Sequence, residues 1–201
     1  MKLCLVTHRH LRPVVEQCSA AVQAGVDLIQ IRERDLDGRP LATLVAEVVR
    51  LTRRTATRVV VNDRLDVALA CGADGVHLRG DSIPPEAARS MAPAGFLIGR
   101  SVHDEQDAKT AAAGVDYLVA GTVFPTPSKA GLTEWLGVEG LARICHSVSV
   151  PVLAIGGVTV DRLPGIAAAG AAGIAAIGLF ADAHRSLADV VVDVRRAWPK
   201  T

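Results

Sequence analysis

Short runs of aliphatic residues recur along the whole chain: Leu3-Cys4-Leu5-Val6, Leu28-Ile29-Gln30-Ile31, Val59-Val60-Val61, Gly75-Val76-His77-Leu78, Phe96-Leu97-Ile98-Gly99, Tyr117-Leu118-Val119-Ala120, Val152-Leu153-Ala154-Ile155 and Ile174-Ala175-Ala176-Ile177. Most are continuously apolar rather than alternating, which marks strands covered on both faces, as in a parallel sheet. Between them the apolar positions take helical spacing: Val14, Cys18, Ala21 and Val22; Leu41, Leu44, Val45 and Val48; Leu141, Ile144, Cys145 and Val148. Each strand is thus predicted to be followed by a helix. A junction also recurs, as Ala24-Gly25-Val26-Asp27, Cys71-Gly72-Ala73-Asp74, Ala113-Gly114-Val115-Asp116 and Ala169-Gly170-Ala171-Ala172. Its glycine suits the left-handed position that ends a helix, and the residues after it enter a strand. The repeat comes round every two βα units, taking about 25 residues for each. Eight such units predict an α/β fold, a single (β/α)8 TIM barrel, as one domain over residues 1–201. The open doubly wound sheet is the alternative. It usually has fewer strands, and no Gly-x-Gly-x-x-Gly follows the first one here.

Composition narrows the classes of function. The 201 residues are half apolar, and Lys+Arg 22 against Asp+Glu 21 leaves a net charge of +1. That balance argues against nucleic-acid or acidic-membrane binding, which needs a dense basic face. The first apolar run is too short for a signal-peptide core, and Cys4, Cys18, Cys71 and Cys145 form no Cys-x-x-Cys pair. The expectation is a cytoplasmic protein with reduced thiols. The uncharged stretch from Gly165 to Ala181 is rich in Ala and Gly and reads as helix, turn and strand rather than a membrane span.

Chemistry in such a barrel gathers where strands end and loops begin. The strands run into Gln30-Ile31-Arg32-Glu33-Arg34-Asp35, Asn62-Asp63-Arg64, His77-Leu78-Arg79-Gly80-Asp81, Arg100-Ser101-Val102-His103, Gly121-Thr122-Val123-Phe124-Pro125-Thr126-Pro127-Ser128-Lys129 and Gly156-Gly157-Val158-Thr159. Alternation puts Gln30 and Arg32 on one face, toward the lumen, with Arg34 two residues further on. A row of guanidinium groups suits a phosphate or diphosphate. The competing reading pairs Arg32 with Glu33 or Asp35 in a rim ion pair. Thr126, Ser128 and Lys129 offer two hydroxyls and a cation for a second part of a phosphate cradle, or an ordinary turn set by two prolines. Gly157, with Ile177 and Gly178, allows a ligand to approach the backbone after strands seven and eight, the usual phosphate position of this fold. Two anion sites would serve two phosphorylated small-molecule substrates. Asp63 and Asp81 could share a Mg2+ ion, with Asp63 otherwise read as a loop cap beside Asn62. His77 and His103 are isolated and read as structural.

These motifs, in this order over Leu28 to Gly178, resemble the thiamin phosphate synthase / TenI superfamily. The synthase branch joins a hydroxymethylpyrimidine diphosphate to a thiazole phosphate, giving thiamin phosphate and diphosphate with Mg2+. The resemblance implies that Gln30, Arg32, Arg34, Asn62, Ser101, Thr126, Ser128 and Lys129 hold the pyrimidine diphosphate. Among these, Arg32, Ser101 and Lys129 act on the leaving charge. Arg34 stands where lysine is usual and Ser128 where threonine is usual. It further implies that Gly157, Ile177 and Gly178 hold the thiazole phosphate, that Asp63 holds the metal, joined by Asp81 where the loop shifts it into the site, and that the protein is a homodimer.

Two positions depart from the pattern. The second metal aspartate of the synthases is matched by Ser82, with Asp81 one residue earlier. In the TenI branch, a thiazole tautomerase, the acid/base histidine is matched by Thr122, which cannot shuttle a proton as imidazole does. The nearly complete set of diphosphate-binding residues makes a synthase the expectation. Its alternatives are a tautomerase using His77 or His103, and a non-catalytic homologue that binds thiazole or thiamin phosphate.

Overall fold

A computed structural model describes residues 1–126, 131, 133–181 and 184–199. Strands β1 (Lys2–Val6), β2 (Leu28–Ile31), β3 (Arg58–Asn62), β4 (Gly75–Leu78), β5 (Leu97–Val102), β6 (Tyr117–Ala120), β7 (Val152–Ile155) and β8 (Gly173–Ala176) pair in parallel in chain order and close β8 onto β1. Helices α1 (Val14–Gln23), α2 (Gly38–Thr52), α3 (Leu65–Cys71), α4 (Pro85–Met91), α5 (Glu105–Ala111), α6 (Gly137–Ser147), α7 (Leu163–Ala168) and α8 (Leu187–Ala197) follow the strands one by one. The expected (β/α)8 barrel is the observed architecture. Among the described residues, no helix is long and apolar enough to cross a membrane.

Two apolar clusters follow from the alternation of side chains along each strand. One face packs outward under the helices, where Leu3, Ile29, Val59, Val76, Ile98 and Ile174 meet helix residues such as Val45, Leu141 and Val190. The other fills the lumen with Cys4, Val6, Leu28, Val60, Tyr117, Val119, Leu153 and Ala175. The lumen is narrow, so large and small residues must alternate across it. A Cβ on Gly99 would lie 2.1 Å from Cζ of Tyr117, so this glycine is the space the tyrosine ring needs.

The recurrent junction acquires a second meaning in three dimensions. Its aspartate reaches back to the start of the preceding strand: Asp27 accepts from the Leu3 amide at 2.9 Å, Asp74 from Val59 at 2.7 Å and Asp116 from Ile98 at 2.7 Å. These amides at the barrel floor would otherwise lack partners. Gly25, Gly72 and Gly170 are left-handed as expected, at φ of 73°, 66° and 90°. Gly114 is not: it ends a 3-10 turn, Ala112–Gly114, and a Cβ there would strike Pro85. Packing, not backbone conformation, is what requires glycine at that position. One boundary also moves. Arg100, Ser101 and Val102, expected after the fifth strand, belong to β5, because Ser101 pairs with Val119 and Val102 with Ala120.

Candidate active site

The loops leaving the strand ends form one mouth, and β2 delivers its most charged part. Gln30 is 5 % exposed, opposite Val6 on one side and Val60 on the other. Arg32 follows just beyond the strand, half-buried. Its backbone amide donates to the Thr7 hydroxyl at 3.0 Å. That hydroxyl donates in turn to the buried Glu33 carboxylate at 2.6 Å, whose other oxygen accepts from the Arg9 amide at 3.0 Å. Asp35 pairs instead with Arg9, at 2.8 Å from Nε, and with His10 at 3.1 Å. The two carboxylates that could have neutralised Arg32 therefore face the segment after β1. The Arg32 guanidinium makes no hydrogen bond or ion pair among the described residues, contrary to the rim-pair reading. Burial, then the charge of Arg34, holds its pKa below the ordinary value; the Glu33 charge opposes this without a direct bond, and Arg79 adds to the lowering.

Arg79, just past the end of β4, is the residue that the sequence reading did not single out. Its signal was present, since Leu78-Arg79 repeats after strand four the Ile31-Arg32 step after strand two. A cavity of about 270 Å3 opens between these loops, with Arg34, Asn62, Asp63 and Arg79 in its wall. Asp63 sits at φ 61°, a left-handed conformation that aspartate tolerates better than most residues, and its amide donates to the His77 carbonyl at 2.9 Å. One carboxylate oxygen accepts the Ser82 hydroxyl and the other faces Arg79 Nη1 at 3.5 Å. Asp81 pairs with Nη2 of the same guanidinium. Asp63 and Asp81 are thus brought together through Arg79 rather than through a shared space.

Below this rim a polar chain crosses the lumen. His77 is 2 % exposed, with Nδ1 at 3.1 Å from the Tyr117 hydroxyl and Nε2 at 2.9 Å from the Ser101 hydroxyl. Burial, reinforced by the Arg32 charge, pushes the His77 pKa down to about 3, so the imidazole is neutral at physiological pH. A neutral ring donates through one nitrogen and accepts through the other, which fixes the Ser101 hydroxyl in place. His103 lies outside this chain, with Nδ1 donating to the Gly121 carbonyl at 2.5 Å. Thr122 is buried, its methyl group packed where a Cβ on Gly156 would lie only 2.3 Å away.

The opposite side of the mouth is built from backbone. Gly156 and Gly157 end β7 with φ of 99° and 61°. Arg162 donates to the Gly157 carbonyl at 2.6 Å and lies 4.5 Å over the Phe124 ring, tying this turn to the segment after β6. Ile177 is half-buried, and Gly178 opens a 3-10 turn, Gly178–Phe180, with free space where its Cβ would be. Thr126 is half-buried, while Ser128 and Lys129 lie outside the described residues. The four cysteines are unpaired, and burial pushes the Cys4 and Cys18 thiols up to about 12, far from a reactive thiolate.

Comparison with known proteins agrees with this geometry. The family model described as thiamine monophosphate synthase matches residues 3–180. The thiamine-phosphate synthase of Pyrococcus abyssi is 40% identical over 88% of this chain and 85% of its own length. That of Methanoregula boonei is 44% identical over 78% of this chain and 73% of its own. A solved structure, thiamine phosphate pyrophosphorylase from Pyrococcus furiosus, superposes with a TM-score of 0.87 at 36% identity, covering 98% of this chain and 94% of that one. A 3-hexulose-6-phosphate synthase at 20% identity and TM-score 0.69 shares the fold alone. With the family model spanning nearly every strand and helix of the barrel, the chain belongs to the thiamine monophosphate synthase family.

Proposed function

We infer that this protein is a thiamin phosphate synthase, joining a hydroxymethylpyrimidine diphosphate to a thiazole phosphate and releasing diphosphate. The observation that carries the reading is the Arg32 guanidinium. It is half-buried at the mouth, flanked by the charges of Arg34 and Arg79, and left without an ion pair among the described residues while Glu33 and Asp35 are engaged elsewhere. Such a group is poised for an anion of high charge.

In this reading the bond from the pyrimidine methylene carbon to the diphosphate oxygen breaks, and its electron pair leaves with the diphosphate. The thiazole nitrogen then donates its lone pair to the resulting cation. No proton has to move for either bond change, which suits a lumen whose buried histidine is neutral. What the step needs is neutralisation of leaving-group charge and fixed positions. Arg32 and Arg34 supply the first, with Lys129, Thr126 and Ser128 added from the loop after β6. Ser101, oriented by His77, donates a hydrogen bond, and Gln30 and Asn62 position the pyrimidine diphosphate. Gly157, Ile177 and Gly178 receive the thiazole phosphate. A cytoplasmic location belongs to this proposal, because phosphorylated substrates stay in the compartment where they are made.

The test is Arg32→Ala, followed by diphosphate release on mixing both substrates. Loss of a donor that stabilises developing charge should lower kcat by about a hundredfold or more. Turnover unchanged by the substitution would overturn the assignment.

A further inference from the structure

We propose that Arg79 is a diphosphate-binding residue of this chain, and that its guanidinium replaces a cation held by Asp63 and Asp81, so that diphosphate binds without a divalent metal. The inference rests on the function proposed above. It begins from the fit of the expected Mg2+ ion, which prefers an octahedral shell of oxygens at about 2.0–2.1 Å and draws on one or two carboxylates. The donors present do not fit a two-carboxylate site. Asp63 accepts the Ser82 hydroxyl on one oxygen and faces Arg79 Nη1 at 3.5 Å on the other, while Asp81 is bound by Nη2. The guanidinium lies between the carboxylates, where it opposes a second positive charge.

The same residue is well placed for the anion itself. Arg79 lines the cavity between the loops after β2, β3 and β4 together with Arg34 and Asn62, and its charge is felt at Arg32. Its backbone is anchored, the amide donating to Ser82 Oγ at 2.7 Å. Its side chain is held by two carboxylates, Asp63 31% and Asp81 68% exposed, in pairs that water screens. A guanidinium has five donors, so it can keep these carboxylates and turn others to a diphosphate, whose high charge and paired oxygens match its fork.

The experiment is a calorimetric titration of the whole protein with potassium diphosphate, first in EDTA and then with excess MgCl2. Binding in EDTA is expected, and added Mg2+ should not strengthen it. Arg79→Gln should bind about ten- to a hundredfold more weakly, and Arg79→Lys should fall between the two. Thermal melting of both variants establishes that they fold. Binding that appears only with Mg2+, or undiminished binding by folded R79Q and R79K, would overturn the proposal. A second variant tests it from the other side. Arg79→Gly combined with Ser82→Asp removes the guanidinium and adds a carboxylate, and should convert diphosphate binding to Mg2+ dependence, with Mn2+ binding visible by electron paramagnetic resonance. Failure of this variant to gain a metal would also count against the exchange of roles. Because no thiazole phosphate is present, the titration is independent of turnover. Metal-free binding through Arg79 without any thiamin phosphate formed would overturn the function and leave this inference standing. Thiamin phosphate formed by an enzyme that binds diphosphate only with Mg2+ would do the reverse.

Discussion

Replacing His77 by Gln should flatten the acid side of the protein's stability curve. In the folded barrel the imidazole is buried between Tyr117 and Ser101, and its pKa falls from the ordinary 6.5 to about 3, first through burial and then through the Arg32 charge. In the unfolded chain it titrates at the ordinary value. Between these two values the unfolded state binds a proton that the folded state does not, so stability is lost as pH falls below 6.5 and the loss is complete near pH 3. Each pH unit in that window is worth about 1.4 kcal/mol, so at about pH 4.5 wild type should have lost about 2.7 kcal/mol from this group. Glutamine does not titrate. Urea denaturation of wild type and H77Q at several pH values between about 7.5 and 4.5 reads the difference. The cost of the altered hydrogen bonds is nearly the same at every pH and drops out, as do the other titrating groups. The wild type's advantage over the variant should shrink by about 2.7 kcal/mol on going to about pH 4.5. Parallel stability curves would show that His77 titrates normally in the barrel, and an advantage that grows toward acid pH would show that it is protonated there; either would refute the neutral-imidazole account of Ser101.

Two further substitutions separate the roles assigned to other residues. Gly99→Ala places a Cβ 2.1 Å from the Tyr117 ring, whereas Gly72→Ala meets open space and only the strain of φ 66°. Overpacking should cost about 1–3 kcal/mol and the strained turn about 1 kcal/mol, so G99A should melt below G72A, and equal melting temperatures would count against a close-packed lumen. Glu33→Ala removes the acceptor of the Thr7 hydroxyl and the Arg9 amide. We expect a loss of about 1–3 kcal/mol together with a lower kcat/KM for the pyrimidine diphosphate, partly restored by E33Q; unaltered kinetics would mean that this network does not position Arg32.

The architecture was legible because each βα unit writes its own signal. Continuous apolar runs, helical spacing and a glycine junction are local, and eight such runs leave little but a barrel. The cationic strand end at Arg32 and Arg34 was legible for a related reason, since alternation along a strand assigns faces without reference to the rest of the chain. The family could be read from the same motifs, which the comparison over residues 3–180 bears out.

What only the tertiary structure decided are the partnerships between strands far apart in sequence. Nothing local says that Glu33 turns to Thr7 and Arg9 rather than to Arg32, that Asp63 and Asp81 meet on opposite nitrogens of Arg79, or that the junction aspartates cap the preceding strand. Nor does the lone His77 in its run disclose Ser101 on the neighbouring strand β5 and Tyr117 across the lumen on β6. Spacing along a chain fixes which face a side chain takes, but barrel closure and register fix what it meets there. The charge state and freedom of a polar group depend on that neighbour, so the fold could be read from the pattern while the electrostatics of the mouth had to wait for the barrel to close.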